Sequence, residues 1–441
     1  MFTKKYAPLT ILIIAGVLLG ACVAPVAPAQ PAGAAQPAEK ITLQVWRAGG
    51  AAVPPERANH WWDDNGEILA QWAEANPNIE IKIEDIPFEQ YDTKQLTALS
   101  GGGAPDIMFV NHVTVGAAVG TGGLEPLEEC IASQPTMDPK DWIPGMWAVG
   151  TREGKQYTVP WDTDTRVLWY NKKLLEEAGV TQPPTTWDEL LASLQKIADL
   201  KKEGVYPWYY FGGSYWGVLY QDIGPWLVQM DTSFLTPDGT KSAALDPKTV
   251  QAFTHAVNLA KFAPEAAVNN QAQESDALFA QGKLAYYVWG MWYIDTLKQQ
   301  NPDAQYGVDY AVALLPGPEA GKTGSSNGGW QLAISKESKH KAEACKFLAW
   351  VTSPEIMALG TKSHIPTRLS AQKADYFKGN PVVETSLQQA AFGHPPVPTV
   401  PQLPELAQLV QKQFIRAVRG EVTPEAALAE IDKQITELLA K

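Results

Sequence analysis

From residue 41 onward the chain alternates two periodicities that few folds can satisfy together. Ile41-Thr42-Leu43-Gln44-Val45-Trp46 alternates apolar and polar side chains, the period of a half-buried strand. Ile68, Leu69 and Trp72 follow at helical spacing, and Asn76-Pro77-Asn78 stops that run. Ile79, Ile81 and Ile83 alternate again, Tyr91 to Leu99 is helical up to Gly101-Gly102-Gly103, and Pro105 to Val110 is a short apolar strand. Strand, helix, strand, helix, strand predicts an α/β domain with a parallel sheet. Ligands on such sheets sit beyond the carboxyl ends of the strands. Trp46 to Gly50 and Asn111-His112 therefore share one rim.

The pattern restarts after Gly122-Gly123-Leu124. Strands are expected over 156–160 and 166–170 and a helix over 172–178. Thr186, with Glu189 three residues on, opens a helix reaching about Lys202. A helix over 249–262, strands at 284–288, 311–315 and 332–334, and helices over 339–352 and 424–440 complete the reading. About 400 residues exceed what one core usually supports, so two lobes are expected. A net charge of −13 excludes a nucleic-acid binder that works through a basic surface. Cys130 and Cys345 fit a disulfide or two buried thiols equally well. With no CxxC and six histidines lacking HExxH spacing, neither a metal nor a cofactor is expected. Sixteen Trp and fifteen Tyr exceed what core packing needs, and a ligand with flat apolar faces would explain the surplus.

The N-terminus adds a destination. Lys4 and Lys5 precede an apolar run, Leu9 to Leu19, that is short of the ~20 residues a spanning helix needs. Leu19-Gly20-Ala21-Cys22 resembles a bacterial lipobox, which implies cleavage before Cys22 and acylation of that cysteine. An ordinary signal peptide or a retained anchor helix is the plainer alternative. Residues 23–40 then form a tether rich in Pro and Ala, with four prolines, reaching on the order of 50 Å in polyproline form. The expected product is exported and lipid-anchored, facing a periplasm or the cell exterior, with a net charge of −15 once Lys4 and Lys5 are lost.

Several blocks, taken in order, resemble the extracellular solute-binding proteins of bacterial ABC importers, the maltose-binding type of family 1. They are Ala104-Pro105-Asp106-Ile107; Val159 to Arg166 with Tyr170-Asn171-Lys172; Pro184 to Leu190; Phe279 to Ala285 running on to Gly290-Met291-Trp292; Gly328-Gly329-Trp330; Pro366-Thr367-Arg368; and Ala426-Ala427-Leu428. The resemblance implies a two-lobed periplasmic-binding-protein-like fold of type II, its lobes joined by hinge crossovers with the ligand cleft between. Lobe 1 is expected at 41–128 and 308–334, lobe 2 at 129–307 and 335–441. It also implies a monomer that closes on its ligand and docks on a permease driven by an ATPase, with no chemistry done on the ligand.

A sugar offers C–H faces to aromatic planes and a hydroxyl rim to carboxylates, amides and Arg. Asp164 stands where the family carries a cleft carboxylate, with Asp162 a second candidate; Arg166 is a third ligand or the acids' structural partner. Trp292 matches the family's stacking tryptophan, and Trp289 flanks the same turn. Tyr215 or Trp216 matches another aromatic position, and Trp226 is a further candidate. Gly328 and Gly329 let backbone approach a ligand, beside Trp330. Trp46, Asn111, His112 and Arg368 complete the set, with Trp61 or Trp62 as a cap. For each aromatic the competing role is core packing. Val110 and Val113-Thr114 replace the family's aromatic and Asp-Arg, and no tryptophan lies near Pro404 to Ala407, so maltose itself is not the expected ligand. A polyamine held by Asp162 and Asp164 is a rival ligand. An exported glycoside hydrolase is a rival class, requiring two carboxylates ~5 to 9 Å apart.

Overall fold

The computed structural model describes residues 40–48, 67–362 and 364–440. The expectations for the signal segment, Cys22, the tether over 23–39, Gly49-Gly50 and Trp61-Trp62 lie outside the described residues.

In chain order the first half comprises β1 (Ile41–Ala48), α1 (Glu67–Ala75), β2 (Ile79–Ile86), α2 (Phe88–Gly101), β3 (Ile107–Asn111) and α3 (Val115–Gly120), following the strand–helix alternation of the sequence. Later strands are β4 (Val159–Pro160), β5 (Val167–Asn171), β6 (Tyr286–Trp289), β7 (Tyr310–Ala313) and β8 (Trp330–Ile334). The helices used below are α4 (Trp187–Asp199), α5 (Gly224–Gln229), α6 (Pro247–Ala260), α7 (Lys341–Val351), α8 (Pro354–Gly360), α9 (Leu403–Val418) and α10 (Pro424–Leu439).

One sheet has the order β2-β1-β3-β8-β4. β1 runs parallel to β2 from Ile41 opposite Ile79 to Ala48 opposite Ile86, and parallel to β3 at Val45 opposite Ile107. β8 is antiparallel to β3, and β4 antiparallel to β8. Leu43, Val45 and the apolar residues of β3 are buried in its core, while edge strand β2 alternates between partly buried and exposed residues. A second sheet, antiparallel, has the order β7-β5-β6. Its centre is Val167-Leu168-Trp169, with Trp169 stacked on Tyr310 at 5.8 Å. α4 opens with the expected capping box between Thr186 and Glu189.

Sheet membership moves the changeovers away from the expected 128/129, 307/308 and 334/335. β4 belongs to the first sheet, and Trp142 donates its indole N–H to Pro160 O at 3.0 Å, so 130–160 stays with that sheet. β7 pairs with β5, so the chain recrosses only after residue 313. α7 packs on β8, and its Phe347 meets Trp72 of α1 edge-on at 5.0 Å, which keeps 335–351 with the first sheet. From Pro381 the chain is back on the second sheet, with α9 and α10 packed on α6. Strands of two to four residues are apolar on either sheet, so their pattern cannot assign them. Of the two readings for the cysteines, the structure has the disulfide: Cys130 and Cys345 are joined with Cα atoms 5.5 Å apart.

Candidate functional site

The crossover over 161–166 leaves the first sheet and enters β5, carrying three charged residues with different fates. Asp162 is fully buried and accepts the Trp330 backbone N–H at 2.6 Å. Burial drives its pKa well above the carboxylate range, and the bond to Trp330 makes it a support of the strand junction. Asp164 is partly exposed and ion-paired with Arg166. Burial pushes its pKa up, but the Arg166 guanidinium, together with His112 and His364, leaves it lowered. Arg166 also donates to Gln221 Oε1 at 2.9 Å and Ser326 O at 3.1 Å, so it is fixed in place.

Around this pair, side chains anchored on the first sheet face side chains anchored on the second. His112, just past β3, meets Tyr220 edge-to-face at 4.8 Å. His364 stacks on Trp292 at 5.6 Å and 12°. Asp92 of α2 lies near Trp216, and burial pushes its carboxyl up to about 6. Trp216 and Tyr220 belong to Tyr215–Gly217 and to the π-helical turn Val218–Ile223 that continues it. A π-turn is uncommon and is often found where function re-aims a side chain.

Trp292 is partly exposed and edge-on to Trp289 at 5.0 Å, with the Arg166 guanidinium 5.6 Å from its ring. Its indole lies over Gly290 so closely that a Cβ there would overlap the ring. A Cβ on Gly328 would stand 2.5 Å from the Asp164 carboxylate and 2.7 Å from the His112 ring. Gly329 has φ +128°, in the region glycine favours, and its carbonyl takes a hydrogen bond from His112 Nδ1 at 3.0 Å. Burial lowers the His112 pKa to about 4, and His364 is lowered to about 4 for the same reason, so both are neutral at pH 7.

Asp164, Arg166, His112, Trp292, Tyr215, Trp216, Gly328 and Gly329 therefore come together. Others do not. Trp226 is fully buried between Trp187 and His255, with its N–H donated to Asp222 O at 2.7 Å; it packs a core. Trp289 lies behind Trp292, stacked on Phe211 at 4.7 Å. Trp330 is buried edge-on to Tyr91, and Trp46 is buried beneath the Lys94 ammonium at 4.4 Å. Arg368 is buried, ion-paired with Asp141, bonded to Thr352 O and set over Trp142 at 4.4 Å, tying first-sheet loops together. Asn111 turns its amide oxygen to the Val113 N–H at 3.3 Å, a turn cap. Asp162 is fully buried and engaged with the Trp330 N–H, and Asp164 is paired with Arg166, so the two do not present a shared pair of free carboxylates to a ligand. Tyr220, Gln221, His364 and Asp92 were not singled out from sequence. Helical periodicity carries no sign of the π-turn that holds Tyr220 and Gln221, and His364 and Asp92 sit in runs with no distinctive spacing.

A family model described as bacterial extracellular solute-binding protein matches residues 64–358. The diacetylchitobiose binding protein DasA of Streptomyces coelicolor is 28% identical over 413 residues, which is 91% of this chain and 90% of that protein. An ABC transporter solute-binding protein from Thermotoga lettingae, solved with α-D-tagatose, superposes with a TM-score of 0.77 at 28% identity, covering 90% of this chain and 100% of that one. The sugar-binding protein MalE of Xanthomonas citri gives a TM-score of 0.77 at 25% identity, covering 90% and 97%.

Proposed function

The chain belongs to the bacterial extracellular solute-binding proteins, and on that premise we propose that it captures a mono- or oligosaccharide between its two lobes and hands it to an ABC importer. One observation carries the carbohydrate reading. The partly exposed Trp292 ring borders the Asp164–Arg166 pair, so an apolar face and a fixed rim of hydrogen-bonding charge adjoin in one place. A sugar presents that combination, C–H faces beside hydroxyls. The relatives are named for diacetylchitobiose and for sugar binding, and one was solved with tagatose, which supports the same class. The pair's mutual neutralisation favours an uncharged ligand over a polyamine.

In this reading the lobes are approximately 40–160 with 330–368, and 167–313 with 381–440. They swing apart to admit ligand and close through the facing pairs His112–Tyr220, His364–Trp292 and Asp92–Trp216. The protein acts as a monomer, exported and held at a membrane by a lipid on Cys22. A Cys22→Ser chain should then appear in the soluble fraction; persistence at the membrane would rule out that anchor. The main test is a thermal-shift screen of neutral sugars, including N,N′-diacetylchitobiose and D-tagatose, beside polyamines and sugar phosphates. Ligand at a hundred times Kd adds ~2.7 kcal/mol. A shift with spermidine and none with any sugar would overturn the reading.

A further inference from the structure

Among the buried polar atoms at the cleft that have no hydrogen-bond partner, two sit on neighbouring rings: His112 Nε2 and Tyr220 Oη. Their chemistry is settled by what surrounds them. The other His112 nitrogen, Nδ1, lies 3.0 Å from Gly329 O. A carbonyl oxygen only accepts, so Nδ1 must carry the hydrogen. Burial keeps the ring neutral at pH 7, and Arg166 works in the same direction against the pull of Asp164. A neutral imidazole with its hydrogen on Nδ1 leaves Nε2 a bare acceptor. Tyr220 has its pKa raised further by burial, so its phenol keeps its hydrogen and is free to donate.

We propose that His112 and Tyr220 together read one hydroxyl of the ligand, Nε2 accepting its hydrogen and the Tyr220 phenol donating to its oxygen. The inference rests on the sugar reading above and narrows it. A hydroxyl both donates and accepts, so it satisfies both atoms at once. An ammonium group only donates: it could meet Nε2 and the phenol oxygen but would leave the phenol hydrogen without an acceptor. A carboxylate, a phosphate dianion or an ether oxygen only accepts and would leave Nε2 unmet. A buried polar group left unmet loses its full hydration, and sites of this kind therefore discriminate more sharply than apolar pockets. The surroundings fit a device for a neutral ligand. Asp164 and Arg166 cancel each other beside it. Gly328 leaves the space next to the His112 ring that any Cβ would fill. The π-helical turn carries Tyr220 to the first-sheet side, where its ring meets His112. Phenylalanine would fill the same volume without an orphaned hydroxyl, so packing does not explain a tyrosine here.

Two measurements test this. In the first, the ligand-free chain is labelled with ¹⁵N-histidine and His112→Gln assigns the resonance. The expected result is a neutral ring protonated on Nδ1; a hydrogen on Nε2 overturns the proposal whether or not any sugar has been found. In the second, Tyr220→Phe is titrated with whichever of N,N′-diacetylchitobiose and D-tagatose shifts the wild-type melt, beside spermidine and glucose 1-phosphate. The expected result is a tenfold or greater loss of sugar affinity with an unchanged melting temperature in the absence of ligand. A sugar that binds Tyr220→Phe as tightly as wild type overturns this inference and leaves the carbohydrate reading standing. Tight binding of spermidine, with no sugar bound, overturns both, and glucose 1-phosphate bound as tightly by Tyr220→Phe as by wild type overturns this inference.

Discussion

Gly290→Ala tests the aromatic face of the site without touching it. Gly290 has no positive φ, so alanine suits its backbone, but the new Cβ would overlap the indole of Trp292. The ring must leave. It then gives up its stack on His364 and its edge contact with Trp289, each worth ~0.5–1.5 kcal/mol. It also gives up the Arg166 contact, worth ~0.5–1 kcal/mol. Stability should fall by about 2 kcal/mol, because a displaced ring recovers part of that loss elsewhere. A ligand that stacks on Trp292 should lose tenfold or more in affinity, about 1.4 kcal/mol. Fluorescence titration with the sugar found in the screen would compare wild type, Gly290→Ala, Trp292→Ala and the double variant. Because the alanine acts through the ring, the double variant should bind no more weakly than Trp292→Ala alone. Wild-type affinity in Gly290→Ala would refute the reasoning, and so would two losses that simply add.

Three further outcomes are expected. Between pH 8 and pH 5 the unfolded chain protonates His255 at its ordinary pKa, while the folded ring, buried and stacked on Trp187 at 4.1 Å, is held down to about 3. Stability should therefore fall as pH drops, by about 2 kcal/mol from this group at pH 5, and His255→Phe should remove that part of the slope in denaturant melts; an unchanged slope would refute it. The Cys130–Cys345 disulfide closes a separation of 215 residues, worth ~2–5 kcal/mol through the unfolded state, so reductant should lower the melting temperature, and identical melts would deny it that role. Trp226→Phe should cost ~1–3 kcal/mol of stability through the lost bond to Asp222 O and the lost volume, with Kd unchanged; weakened binding at unchanged stability would return Trp226 to the site.

What the sequence showed of this fold depended on how much information each element carries by itself. β1, α1, β2 and α2 each span enough residues to display a period, and β3 is a short apolar run bounded by turn residues, so their order was legible. β4 and β7 are too short to do so, and the partners that place them are far away in the chain, so the sheet changeovers were misplaced. The site divides along a similar line. Asp162 and Asp164 are the same residue type two positions apart, which on one strand would share a face. The chain instead turns between them: Asp162 bridges to Pro366 and Asp164 to Gly328, so one enters a core and the other a cleft. The surplus of tryptophan pointed to a ligand, yet Trp72, Trp142, Trp161, Trp169 and Trp226 are all fully buried. A glycine beside the ring is the better discriminator. Trp292 lies against Gly290 and stays partly exposed, and His112 keeps an unpartnered nitrogen beside Gly328. Aromatic residues next to glycine turns, more than aromatic content, thus mark where this chain has surface to spend on a ligand.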